Sequence, residues 1–267
     1  MNDISFPGLG LELAVNPNAF SVFGRDIKWY ALIILTGIVL AVLFGIWEGK
    51  RVGISSDTIL DIILVCVPTA IICARAYYVI CEWSYYSRHP EEIIQIWNGG
   101  LAIYGGIIGG CIAGYIYCKI KKVNIGEMFD IGGFGFLIGQ TIGRWGNFTN
   151  GEAYGYKTDL PWGMVIGGET PLPLHPTFLY ESLWNLFGFV ILFFYRKHKK
   201  FKGEIFLLYV VWYGIGRAWI EGLRSDSLYI ASTGIRTSQL LAVVAAISGV
   251  IIISVKRYKL HKKKVNS

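Results

Sequence analysis

The sequence predicts an all-α, polytopic membrane bundle of about seven transmembrane helices, with its N-terminus outside and its C-terminus in the cytoplasm. Three observations carry that expectation. Of the 267 residues, 54% are hydrophobic and only 16% charged, a balance that makes a bilayer the expected solvent rather than water. A helix rising about 1.5 Å per residue needs about 20 apolar residues to cross the hydrocarbon core, and a window of that size finds seven segments. The basic residues of the connecting segments gather on one side, which sets the orientation.

The first 26 residues lack a basic start and an apolar core, and Pro7, Gly8, Gly10 and Pro17 interrupt them. They read as an external arm, residues 1–28, rather than a signal peptide. The spans follow as Trp29 to Trp47, Thr58 to Ile80, Gly99 to Tyr117, Glu127 to Gly143, Thr177 to Tyr195, Ile205 to Ile220 and Thr237 to Val255. Lys50 and Arg51, then Lys119, Lys121 and Lys122, then Arg196, Lys197, Lys199, Lys200 and Lys202, and finally the basic tail 256–267 fall on one side, the cytoplasmic one. The opposite segment Cys81 to Asn98 sets Glu82, Glu91 and Glu92 against a single Arg88.

Residues 144–176 carry Asn147, Asn150, Glu152, Lys157, Asp159, Glu169 and four prolines. That composition predicts an external polar loop, and loops of such length inside a compact protein generally carry function. With no low-complexity tract, soluble segment or internal repeat, residues 1–267 are expected to form one membrane domain.

A net charge of +7 would ordinarily raise nucleic acid as a partner, but the basic residues lie in short blocks between apolar runs. Topology accounts for them, and no nucleic acid is expected. Cys66, Cys73, Cys81, Cys111 and Cys118 have neither CxxC nor metal-ligand spacing and read as small buried hydrophobes. No metal or organic cofactor is suggested.

Chemistry is expected where polar groups enter the spans. Tyr213, Arg217 and Glu221 recur every four residues and so share one helix face, with Arg224 and Asp226 beyond them. Charges inside spans usually mark a pathway or polar cavity; a structural i, i+4 pair is the alternative. A transporter or channel path lined by Arg217 and Glu221 is the rival functional reading. Gly135, Gly139 and Gly143 serve helix packing, but Arg144, Gly146, Asn147, Asn150, Glu152 and Gly155 follow directly. A guanidinium at the membrane boundary offers bidentate recognition of phosphate, and glycines allow close approach, so a phospholipid headgroup fits there.

The glycines from Gly99 to Gly114 read as close packing, whereas Tyr104 among them needs a hydrogen-bond partner and could serve a phosphate oxygen or relay a proton. His175 reads as a structural boundary histidine, Arg75 as a snorkelling side chain and Tyr30 as an interfacial belt residue. Asn147-Phe148-Thr149 matches a glycosylation acceptor, a pattern too short to weigh.

Taken together, these motifs resemble the prolipoprotein diacylglyceryl transferase family over nearly the whole chain. The most specific is Gly143-Arg144-Trp145-Gly146-Asn147-Phe148-Thr149-Asn150-Gly151-Glu152-Ala153-Tyr154-Gly155; Asn98 to Gly106, His175 to Glu181, and Tyr213 through Glu221 to Arg224 support it. The resemblance implies seven spans with the N-terminus outside, Arg144 as the phosphatidylglycerol-binding residue, and roles in activity for Tyr30, Asn147, Glu152, Gly155, Tyr213, Arg217 and Glu221. Where one branch of the family has histidine this chain has Tyr104, so a mechanism needing that histidine as base does not transfer.

The implied reaction joins the lipobox cysteine thiol of a prolipoprotein to the diacylglyceryl group of phosphatidylglycerol and releases glycerol 1-phosphate. Arg144 and Arg217, with Gly155 and Asn150, would hold the lipid headgroup. The same cations would lower the substrate thiol's pKa, leaving Tyr104, Glu152 and Glu221 as alternative proton acceptors. Membrane lipids complete the expected partners.

Overall fold

The computed structural model describes residues 2–167, 170–230 and 233–266. The chain is mostly helical: α1 Trp29–Val52, α2 Ser56–Cys81, the short α3 Trp83–Tyr86, α4 Ile103–Ile120, α5 Ile125–Asn150, α6 Thr177–Tyr195, α7 Glu204–Ile220 and α8 Thr237–Val265. Among the described residues, five helical segments, Trp29–Val52, Ser56–Cys81, Ile103–Ile120, Thr177–His198 and Thr237–Val265, are long and apolar enough to cross a membrane. The other two long helices differ: α7 is apolar but has only 17 residues, and α5 interrupts its apolar run with Glu127, Asp130, Gln140 and Arg144. The exposed faces of α1, α2 and α8 are rows of Leu, Ile and Val, the surface that lipid rather than water would cover.

Strands accompany the helices, a departure from an all-α chain. β1 Asn2–Phe6, β2 Leu11–Val15, β5 Met164–Ile166 and β6 Thr170–Leu174 form an antiparallel sheet in the order β2-β1-β5-β6, and β3 Asn18–Val22 pairs with β4 Arg25–Lys28. The N-terminal arm is therefore built of strands, because Ile4 and Phe6 alternate with polar neighbours and bury one face. Ile4 pairs with Ile166, and both join Met164, Phe6 and Phe178 in a small core lined by Phe148 and Leu179. That core seats the arm and the long loop on the ends of α5 and α6. The loop itself starts later than expected: helix continues from Arg144 to Asn150, and Gly151 in the left-handed region (φ 68°) ends it. Glu169 lies outside the described residues.

Two compact units divide the chain, one comprising Met1–Gly45 with Phe129–Ser267 and the other Ile46–Met128. In the second unit α2 packs along α4 because glycines remove the intervening side chains: a Cβ at Gly105 would lie 2.4 Å from the Cys73 carbonyl oxygen, and one at Gly109 2.4 Å from Cys73 Cβ. Cys118 is buried in this unit, whereas Cys81 is exposed.

Arg75 does not snorkel. It is buried, and its guanidinium donates to the carbonyls of Glu92 (2.6 Å), Ile93 (2.7 Å), Gly99 (2.8 Å) and Gly100 (3.0 Å), with the Tyr86 ring 5.1 Å away. It staples the 82–102 connection onto α2. Gly100 is required there, since its φ is +73° and a Cβ would fall 2.4 Å from Arg75 Nη1.

Candidate active site

The first unit builds its site on a lock between α6 and α7. The Trp184 and Trp212 rings stack at 4.5 Å, and each indole N–H donates to the other residue's backbone carbonyl, at 3.0 and 2.9 Å. The sequence permits this because a glycine faces each ring: a Cβ at Gly216 would meet Trp184 Nε1 at 2.1 Å, and one at Gly188 would meet Trp212 Nε1 at 2.3 Å. An indole N–H without a partner in an apolar setting is costly, so the reciprocal pair fixes the register of the two helices. Glu181 lies one turn before Trp184, and Arg217 adjoins Gly216.

The register brings opposite charges together. Glu181, 3% exposed on α6, pairs through Oε2 with Arg144 Nη2 (2.5 Å) and through Oε1 with Arg217 Nη1 (2.8 Å) and Arg224 Nη1 (3.4 Å). Arg217 Nη2 also lies 2.5 Å from Glu221 Oε2. That oxygen has no aligned hydrogen bond, so this second contact is electrostatic rather than directional. Arg224 closes the cluster with a forked pair to Asp226, Nε to Oδ1 at 2.9 Å and Nη2 to Oδ2 at 2.6 Å. Burial alone would raise the Asp226 carboxyl, but the hydrogen bonds and charge of Arg224 outweigh it and hold the group below the usual carboxylate range.

Beyond Arg144 a polar chain runs along the helix end. Arg144 Nη1 donates to Asn147 Oδ1 (3.3 Å), Asn147 Nδ2 to Glu152 Oε1 (3.0 Å), and Asn150 Nδ2 to the same oxygen (3.2 Å). These side chains let α5 extend past its expected end, since the polar residues satisfy one another. Ala153 then adopts a left-handed φ of +60°, fixed by Thr177 Oγ1 donating to its carbonyl at 2.5 Å. Gly155 threads between two segments: its N–H donates to the His175 carbonyl (2.9 Å) and it bridges to Arg224, while a Cβ would sit 2.5 Å from the Leu223 oxygen. Gly155 thereby fixes where the Arg224 backbone lies.

Arg144, Asn147, Asn150, Glu152, Gly155, Arg217 and Glu221 thus lie in one connected network of the first unit. Tyr30 packs on α5 beside it, 2.7 Å from where a Gly146 Cβ would stand, and Tyr213, one turn before Arg217, stacks on Tyr209 at 6.0 Å. Tyr104 belongs to the second unit, in the first turn of α4. His175 keeps a structural place: its Nδ1 and Tyr180 Oη are 3.2 Å apart, and burial depresses its pKa toward the neutral form. A hollow of about 440 Å³ at the α4–α5 turn, lined by Lys119 and Lys122 among others, holds none of these residues.

The residue that sequence reasoning missed is Glu181. It stood in the His175–Glu181 motif as one charge in an apolar helix, and only its burial beneath three arginines marks it out. Three guanidiniums, with side chains 22%, 14% and 10% exposed, share that sealed carboxylate, an arrangement of donors whose chemistry suits an oxyanion.

A family model described as prolipoprotein diacylglyceryl transferase matches residues 17–255. The chain belongs to the prolipoprotein diacylglyceryl transferase family. It is 47% identical over 233 residues, covering 87% of this chain and 92% of the relative, to the phosphatidylglycerol–prolipoprotein diacylglyceryl transferase of Clostridioides difficile (strain 630). The protein of the same name from Limosilactobacillus reuteri (strain DSM 20016) is 48% identical over 264 residues, with 94% of each chain covered. That from Finegoldia magna (strain ATCC 29328) is 49% identical over 235 residues, 88% of this chain and 93% of the relative.

Proposed function

We propose that this chain moves the diacylglyceryl group of phosphatidylglycerol onto the lipobox cysteine thiol of prolipoproteins, forming a thioether and releasing sn-glycerol 1-phosphate. The observation that carries the reading is the convergence of Arg144, Arg217 and Arg224 on one buried carboxylate inside the family's signature segments. In the reaction the thiol sulfur attacks the glycerol carbon that bears the phosphate, the C–O bond breaks, and its electron pair stays on the phosphate oxygen. Negative charge on the phosphate rises as that bond opens, and fixed guanidiniums stabilise it most at that moment.

In this reading Arg144 and Arg217 bind the headgroup with Asn150 and Gly155, while Tyr30, Asn147 and Tyr213 shape the site. Tyr104, Glu152 and Glu221 are the candidates to receive the thiol proton. Glu152 already accepts two amide donors and Glu221 faces Arg217, so either would have to exchange a partner to reach the thiol. A thiol beside cations is acidified, and a weak acceptor suffices.

The one-sided Lys and Arg of the connections support seven spans in a single membrane domain, with the N-terminus outside and the C-terminus cytoplasmic. The arginine cluster then faces the outer side of the bacterial cytoplasmic membrane, where exported prolipoproteins and phosphatidylglycerol meet. Reconstituted protein given labelled phosphatidylglycerol and a lipobox peptide is expected to yield a diacylglyceryl-modified peptide and free glycerol phosphate. A peptide that keeps its original mass sinks the reading.

A further inference from the structure

We propose that Glu181 is a positioning residue of this reaction: a sealed counter-charge that holds Arg144, Arg217 and Arg224 with their outer faces turned to the departing phosphate. The inference rests on the proposed function and deepens it. Its ground is the contrast in exposure within the cluster. The Glu181 side chain is 4% exposed, whereas those of Arg144, Arg217 and Arg224 are 22%, 14% and 10% exposed. The carboxylate therefore stands behind the arginines, and an arriving anion meets guanidiniums already gripped from the rear.

Three long side chains come from three places, α5, the last turn of α7 and the segment after it; Glu221 and Asp226 offset the charge of Arg217 and Arg224, but Glu181 is the carboxylate that joins all three. With it they form one rigid group. Oε2 serves Arg144 while Oε1 serves Arg217 and Arg224, so shortening or neutralising the side chain disturbs all of them. The Trp184–Trp212 lock prevents α6 from sliding to compensate.

The reaction makes this rigidity matter for turnover rather than for affinity. The phosphodiester binds with one negative charge and departs as a monoester carrying a second, offset by the proton the thiol gives up to a base or to water. Guanidiniums held in place interact more strongly with the charge of the transition state than with that of the bound lipid, so their disorder lowers kcat and leaves KM nearly alone.

The test compares wild type, Glu181→Gln and Glu181→Asp as full-length protein in liposomes of phosphatidylglycerol, with a lipobox peptide as acceptor and folded protein quantified by thermal unfolding. Glu181→Gln is expected to lose on the order of 100-fold in kcat per folded molecule while KM for phosphatidylglycerol changes less than about 3-fold. Glu181→Asp, which restores the charge at a shorter reach, is expected to recover about tenfold over Glu181→Gln. A normal kcat per folded molecule in Glu181→Gln, or failure of both variants to fold, assigns Glu181 to structure alone and overturns the inference, while transfer by wild type keeps the function standing. Absence of transfer by wild type overturns both.

Discussion

Arg75 and Arg144 are both arginines in a protein with an apolar exterior, and their surroundings differ in kind. Arg75 is surrounded: backbone carbonyls from Glu92, Ile93, Gly99 and Gly100 take its donors, and its side chain is buried. Arg144 is held by the Glu181 carboxylate and the Asn147 side-chain oxygen, and its side chain stays 22% exposed. A guanidinium satisfied all round is a staple, with nothing left to offer a ligand. One with two side-chain partners and an open face keeps donors for an anion that arrives later.

The contrast can be broken by exchanging the readouts. Arg144→Ala is expected to lower lipid transfer by about a thousandfold, the scale for removing a transition-state donor, while the protein still folds and inserts. A variant with full activity would put Arg144 on the structural side. Arg75→Ala should do the reverse: the orphaned carbonyls each cost about 1–3 kcal/mol, so the unfolding midpoint in detergent falls by several degrees while surviving molecules retain their turnover. Unchanged thermal stability would remove Arg75 from the staple class.

Gly155→Ala sharpens the comparison, because it touches both properties. The added Cβ would sit 2.5 Å from the Leu223 oxygen, and the displaced segment carries Arg224. Both the midpoint and kcat should fall, the latter about tenfold or more by the sensitivity of catalysis to small displacements. An alanine variant as active as wild type would show that the segment has room.

Asp226→Asn is the smallest effect. Its carboxyl is held below the usual range, so its contribution is fully present above the ordinary aspartate pKa of about 3.9 and disappears as pH falls through the depressed folded value. The side chain is 53% exposed, and after discounting for solvent screening the pair contributes under about 1 kcal/mol. The wild-type advantage over the asparagine variant should therefore vanish in strong acid; an advantage independent of pH would point to packing instead.

Much of this was legible beforehand. The apolar runs located the long helices, and four-residue spacing placed Tyr213 and Arg217 on one face of α7 with Glu221 just past its end, beside Arg217. The limits of local reasoning show at three places. Polar composition marked Arg144 as a loop start, but Asn147 lies one turn on and accepts from it, so the helix continues. The arm looked broken by proline and glycine, yet Ile4 and Phe6 find a core only through residues far along the chain. Glu181 carried no periodic signal at all, because its partners come from α5, from α7 and from the turn beyond. What local pattern misses in each case is the partner supplied by tertiary structure.

The pairing of Ile4 with Ile166 joins residues about 160 positions apart, and closing so long a stretch of chain is slow compared with winding a helix. During synthesis β1 can pair with the adjacent β2 at once, but its other edge emerges long before β5 and stays open while the intervening helices are made. The core that joins Ile4 and Phe6 to Met164, Ile166 and Phe178 is therefore closed by contacts that the chain can make only once Phe178 has been added.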